Sequence, residues 1–208
     1  MFDKKRAEIA NSWTHGAGFV VFCVMAVFLL MRGAKHESFP LNLGLTLFVI
    51  GEMLMFFSST IYHIVTNEKA KRILRYFDHS AIYISIAGSY SPILLWNIGG
   101  TLGTVCFIVI WSLVLLGIIY KIFFLGKYPK LSLAIYLTMG WMVVFIAKPV
   151  YEAFTSTALI LLLCEGVSFT LGTYFYSKDK THTYFHSIWH IFVYVGSLFH
   201  YLVLWFLT

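Results

Sequence analysis

Charge is what this sequence has least of. Only 12% of its 208 residues are Asp, Glu, Lys or Arg, about half the usual share of a soluble domain. A soluble globule of this length could not cover its surface with so few charges. Intrinsic disorder is excluded as well, because 60% of the residues are hydrophobic and disordered chains are polar. Cysteine is scarce and odd in number: Cys23, Cys106 and Cys164, each inside an apolar run. That count implies no disulfide framework, and the three read as buried free thiols acting as small hydrophobes. There is no repeat at a fixed period and no low-complexity tract.

What remains is apolar and aromatic. Aromatic residues make up 19% of the chain, and the mean hydropathy is +0.82. These values point to a polytopic membrane protein. One spanning helix takes about 20 residues, so seven would use about 140 and leave no room for a second folded domain. Apolar runs fall at about residues 16–32, 43–64, 78–96, 102–124, 131–147, 158–176 and 184–207. Gly99–Gly100 and Tyr128–Pro129 mark turns between them, as such pairs commonly do. The first run follows Lys4, Lys5 and Arg6 but is long for a signal peptide, and no A-x-A site precedes Arg32. It is expected to be a retained helix. The expected fold is an all-α, seven-transmembrane bundle forming one domain over residues 1–208.

Orientation follows from lysine and arginine. Tails and loops on one side of the expected bundle hold Lys4, Lys5, Arg6, Lys69, Lys71, Arg72, Arg75, Lys121, Lys127, Lys130, Lys178 and Lys180. Those on the other side hold Arg32, Lys35 and Lys148. Basic residues stay on the cytoplasmic side, so the N-terminus is expected inside and the C-terminus outside. The same bases account for the formal charge of +6 by attraction to anionic lipid. No basic patch with interleaved aromatics occurs in a polar segment, so membrane lipids and not nucleic acid are the expected partners.

Polar groups inside spans are the informative ones, since an ionised side chain at the centre of a bilayer costs about 2.5–3.5 kcal/mol on insertion scales. One layer lies at the cytoplasmic ends. Span two closes with Ser58-Ser59-Thr60-Ile61-Tyr62-His63, span three opens with Asp78-His79-Ser80, and span seven opens with His182, His186 and His190. The alternating topology brings these distant segments to one membrane face. His186 and His190 are four apart and share a helix face. With His63 they make three nitrogen ligands, and three protein ligands with one open position is the catalytic zinc pattern. Asp78 would orient or deprotonate a bound water, and Ser59 would hydrogen-bond that water or Asp78. The competing reading is that these histidines sit at the membrane interface, as histidines near helix ends often do. His182 reads as a loop or interfacial residue. His79 points about 100° away from Asp78.

A deeper layer holds Glu52, Glu165 and His200. Glu52 lies roughly 16 Å along its helix from His63, and His200 roughly 15 Å from His190. Both face the same interior as the shallow layer. Two readings stay open: a polar cavity rising from the metal site, or a structural carboxylate–histidine hydrogen bond. A third group, Glu8, Asn11, Ser12, Thr14 and His15, opens span one. It is either an outer shell at the cytoplasmic mouth or a capped helix start. Pro92 is expected to kink span three.

Glu8-Ile-Ala-Asn11-Ser-Trp-Thr14-His15-Gly16 resembles the N-terminal signature of the bacterial hemolysin III family. Ser59-Thr-Ile-Tyr-His63, Phe77-Asp78-His79-Ser80, Gly88-Ser89-Tyr90-Ser91-Pro92 and His186-Ser-Ile-Trp-His190 fit it too. The family is similar to the progestin and adiponectin receptors and, more distantly, to alkaline ceramidases. The resemblance implies a plasma-membrane protein with Zn²⁺ near the cytoplasmic face, held by His63, His186 and His190, with Ser59 and Asp78 beside it. It also implies hydrolysis of a lipid amide or ester. Two departures matter: the long cytosolic N-terminal domain of the receptors is missing, and His79 stands where a tyrosine-like neighbour is usual, which leaves a fourth ligand open. The rival expectations are a membrane sensor or a pore-forming cytolysin with structural zinc, and a ligand-responsive receptor. Between His190 and His200, Ser197 is the only clear polar group beside Phe192, Val193 and Val195, which argues against a wide channel.

Overall fold

The computed structural model describes residues 2–208; of Phe2 and Lys4 only the backbone is described, so the Lys4 side chain counted above lies outside it. Among the described residues eight α-helices follow one another: α1 (Phe2–Ala34), α2 (Phe39–Ile64), α3 (Glu68–Pro92), α4 (Gly100–Phe124), α5 (Pro129–Gly140), α6 (Ala147–Ala153), α7 (Ser156–Ser177) and α8 (Phe185–Leu207). A 3₁₀ segment, Trp141–Ile146, joins α5 to α6, and the three together form the fifth of seven segments long and apolar enough to cross a membrane. There is no β-strand among the described residues. The chain is an all-helical, seven-span bundle, as the hydropathy runs imply. Several helices extend past those runs. α1 begins at Phe2 and α3 at Glu68, because polar first turns can be helical without being apolar.

Local chemistry fixes the helix starts. The Ser38 hydroxyl accepts the Leu41 N–H at 3.4 Å, with Pro40 in the first turn. Asn67 Oδ1 accepts the N–H groups of Lys69 and Ala70 at 3.0 and 3.1 Å. Thr155 caps α7 through Ala158 N–H at 3.2 Å. Each cap satisfies donors that have no partner within the helix.

The bundle core lies between α2 and α3. A Cβ on Gly88 would meet the Leu47 carbonyl oxygen at 2.7 Å, and one on Gly51 would meet the Ile84 carbonyl oxygen at 2.9 Å. The two backbones therefore touch where no side chain intervenes, the way small residues let helices associate in lipid. Phe48, Phe56, Tyr83 and Leu94 are fully buried around this contact, whereas Val20, Phe28, Val105 and Phe123 face outward. An apolar exterior with no water to satisfy backbone groups is what a membrane imposes.

Two irregular stretches shape the interior. At Pro92 the α-helical pattern gives way to a π-helical turn, Ile93–Ile98, which Gly99 ends at φ 60°. The expected disturbance at Pro92 takes the form of a change of helix type in the turn that follows it. In the fifth span, the Tyr90 hydroxyl donates to the Gly140 carbonyl at 2.7 Å and accepts the Val143 N–H at 2.9 Å. The phenol from α3 supplies the bonds that the helix gives up there.

Lys121 departs from its expected place in a cytoplasmic loop. It lies in the last turn of α4, is 2% exposed and donates from Nζ to Ser132 Oγ. Its ammonium sits 4.9 Å from the centre of the Tyr136 ring and 5.9 Å from that of Tyr83. Hydrogen bonding and cation–π contact together replace its hydration.

Candidate metal centre

α2 ends and α8 begins at the same end of the bundle, and α1 passes beside both. His63, His186 and His190 meet there. One ring nitrogen from each lies within 4.8 Å of the others. The ring centroids are 5.1 Å apart for His63 and His186, 5.2 Å for His63 and His190, and 4.7 Å for His186 and His190. His63 and His190 are buried and His186 is half-buried.

The hydrogen bonds to these rings all go to Nδ1. His63 Nδ1 donates to Glu8 Oε2 at 3.2 Å. His186 Nδ1 donates to Asp179 Oδ2 at 3.0 Å. His190 Nδ1 faces Thr14 Oγ1 at 3.0 Å and the Asn11 carbonyl at 3.2 Å. A carboxylate or carbonyl oxygen only accepts, so Nδ1 carries the proton and Nε2 is left with its lone pair. His63 Nε2 is buried and has no partner. Rings held at Nδ1 by an oxygen, with one ring nitrogen of each within 4.8 Å of the others, match the arrangement of metal-bound imidazoles. The residues present therefore fit a metal ion.

The opening of α1 supports this end of the bundle. Glu8 is also bound by Lys71 Nζ at 2.5 Å. Asn11 Oδ1 accepts from Ser187 Oγ at 2.5 Å, and its amide nitrogen lies 3.5 Å from His63 Nδ1. His15 stacks on His190 with centroids 3.6 Å apart and planes 19° apart. Both of its nitrogens are buried without a partner. Of the sequence-derived group around Glu8, four members (Glu8, Asn11, Thr14 and His15) thus touch the histidines directly. Sequence reasoning missed Asp179, which follows α7 in a turn and carries no periodic signal.

Asp78, Ser59, His79 and His15 line one cavity of about 440 Å³ with His186 and His190. Ser59 Oγ and His79 Nδ1 are buried and unpartnered. His79 is not part of the three-histidine group; its carbonyl accepts from Tyr136 OH at 2.7 Å. His182 stacks on Phe185 at 4.1 Å, exposed and apart from the centre.

The cavity runs on to the deep layer, where Glu52, Ser85, Glu165, Ser197 and His200 also line it. Ser85 Oγ donates to Glu52 Oε1 at 2.5 Å, and His200 Nδ1 donates to Glu165 Oε2 at 2.8 Å. The carboxylate–histidine bond of one reading is present, and these groups line a cavity whose walls are mostly apolar, unlike the polar cavity of the other. Between the fifth span and α7 the lining includes Val144, Tyr151 and Leu163, which are 58%, 73% and 61% exposed. The cavity therefore reaches the lipid-facing surface between these two spans.

Comparison with known proteins agrees with this architecture. The family described as "Haemolysin-III related" matches residues 4–201. The "Hemolysin-3 homolog" of Bacillus subtilis (strain 168) is 41% identical, covering 92% of this chain and 90% of its own. The "Hemolysin-3" of Bacillus cereus is 36% identical, covering 92% and 87%. The "Monocyte to macrophage differentiation factor" of Homo sapiens is 29% identical, covering 94% and 82%. No solved structure gives a significant match. A seven-span helical bundle matched over nearly its whole length by this family's signature is a multi-pass membrane protein, and the chain belongs to the Haemolysin-III related family.

Proposed function

We propose that the protein is a zinc-dependent hydrolase of a lipid amide or ester bond, with its centre at the cytoplasmic end of the bundle. The observation that carries this reading is the Nδ1 pattern: three rings each pinned by an oxygen and clustered with a ring nitrogen of each within 4.8 Å of the others, beside a cavity that lipid can enter. His63, His186 and His190 would hold Zn²⁺. When bound, the ion supplies Lewis-acid polarisation of the substrate carbonyl and acidifies water at its open position.

The chain's own groups divide the rest of the work. Glu8, Asp179 and Thr14 hold the imidazoles in one tautomer and orientation. Asp78 lines the cavity beside the histidines and is placed to accept a proton from water and return it to the leaving amine or alkoxide. Ser59, with no partner of its own, is free to orient that water or the carbonyl. The apolar walls exclude bulk water, and the exposed gap beside Leu163 and Val144 admits an acyl chain from the bilayer. Such an activity would contribute to membrane homeostasis.

The test is turnover on a panel of lipid amides and esters by the purified protein and by Asp78→Ala. Loss of turnover with metal retained supports the reading; equal turnover by both ends it.

A second reading keeps the metal and drops the chemistry. Ligands from α2 and α8 and orienting groups from α1 make the centre a staple between helices, suited to a non-enzymatic sensor of the membrane or to a cytolysin. It differs in one result: Asp78→Ala would then be silent in every lipid assay, while loss of metal would lower thermal stability.

A further inference from the structure

The deep end of the cavity holds three buried polar atoms without partners: Glu52 Oε2, Ser197 Oγ and His200 Nε2. Their residues are 2%, 1% and 3% exposed, and they come from α2 and α8. All three line the cavity. The other polar atoms of Glu52 and His200 are occupied. Glu52 Oε1 already accepts from Ser85, and His200 Nδ1 already donates to Glu165. The second atom of each group remains, enclosed in the cavity wall. Buried polar groups left unpaired are costly, and more so inside a membrane.

The chemistry of these atoms names what would satisfy them. Glu52 Oε2 is an acceptor. His200 Nδ1 is taken by Glu165, which leaves Nε2 as the ring atom at the cavity wall. The Ser197 hydroxyl serves either way. Charge agrees: the residues lining the cavity include Asp78, Glu52 and Glu165 but no lysine or arginine. A carboxylate or phosphate would find no lysine or arginine to pair with here, and a bare methyl end would leave the polar atoms unpaired. Among the described residues the group is not a metal site, since only His63, His186 and His190 converge closely enough for one.

We propose that Glu52, Ser197 and His200 form a second binding site, deep in the bundle, for the hydrogen-bond-donating head of an amphiphile: an ammonium or a hydroxyl group on a hydrocarbon chain. Glu165 and Ser85 act as positioning residues by fixing the His200 ring and the Glu52 carboxylate. The site lies roughly 15 Å from the histidine centre along α8, and the apolar cavity wall between them takes the chain. The proposal does not rest on hydrolysis or on a bound metal.

The experiment uses the full chain in phosphatidylcholine nanodiscs, with protein-free nanodiscs as the blank for partitioning. Binding of dodecylamine, dodecanol, laurate and dodecane is measured at equilibrium. Saturable binding of the amine or the alcohol is expected, tighter than that of laurate or dodecane by about tenfold or more, the difference expected when buried acceptors find or lack a donor. Glu52→Gln and Ser197→Ala should each weaken it, and stripping metal with a chelator should leave it unchanged. A preference for amine over alcohol that disappears in Glu52→Gln assigns the head as ammonium; equal binding of the two assigns it as hydroxyl. Four probes binding alike, or wild-type binding by both variants, would overturn the site. Should Glu52→Gln fail to fold, Ser197→Ala, which removes one oxygen from a buried serine, decides alone.

Discussion

The Glu8 carboxylate lies 3.2 Å from His63 Nδ1, joining the first turns of α1 to the last turn of α2 across 55 positions of sequence. Lys71 holds the same carboxylate oxygen at 2.5 Å, so Glu8 is fixed from both sides. Removing such an outer partner commonly weakens metal binding by about 10–100-fold. Glu8→Ala is expected to lower zinc affinity within that range while the protein stays folded. Titration against a competing chelator measures it. Unchanged affinity would mean that the ring needs no orientation from α1.

Tyr90 closes the break in the fifth span through its hydroxyl alone. Tyr90→Phe keeps the ring and strips the partners from the Gly140 carbonyl and the Val143 N–H. Stability should fall by about 1–3 kcal/mol, the cost of leaving polar groups unpaired where lipid cannot solvate them. Thermal unfolding in nanodiscs reads this, and an unshifted transition would show that water or lipid replaces the phenol.

Gly51 and Gly88 sit where the backbones of α2 and α3 touch. Gly88→Val would drive a side chain against the Leu47 carbonyl, which cannot move aside. Overpacking of this kind costs typically about 1–3 kcal/mol, and here it also displaces the helix that carries His63 and Ser59. Lower thermal stability together with lower metal content is the expected result. Valine tolerated with both unchanged would contradict the packing described.

Sidedness is tested by thiol labelling of intact cells in a background without Cys23, Cys106 and Cys164. His36→Cys, beside the C-terminal Thr208, should react with an impermeant reagent from outside. Lys127→Cys, in the turn between α4 and α5, should react only after permeabilisation. The reverse pattern would invert the topology and place the histidine centre outside.

Much of this was legible in the residues because membrane helices announce themselves by composition. The seven apolar runs became seven spans, since nothing but a helix satisfies a backbone in lipid. The spacing of His186 and His190 put both rings on one helix face, and counting turns from Glu52 and His200 aimed both toward the interior. What stayed hidden depends on contact between helices. Lys121 looks like any base beside a loop, and only the Tyr136 and Tyr83 rings and Ser132 make burial tolerable. Asp179 reaches His186 through a turn with no periodicity. The break at Gly140 exists because Tyr90 stands ready to bond it, and no property of residues 129–153 reports that.

The central claim is the convergence of His63, His186 and His190 on one ion, and elemental analysis of the purified protein tests it most directly. The expected result is about one zinc per chain in the wild type, with loss of the metal in His186→Ala and in His190→Ala and retention in Asp78→Ala. Protein purified without chelator that holds no stoichiometric transition metal, or histidine variants that hold as much as the wild type, would contradict the account.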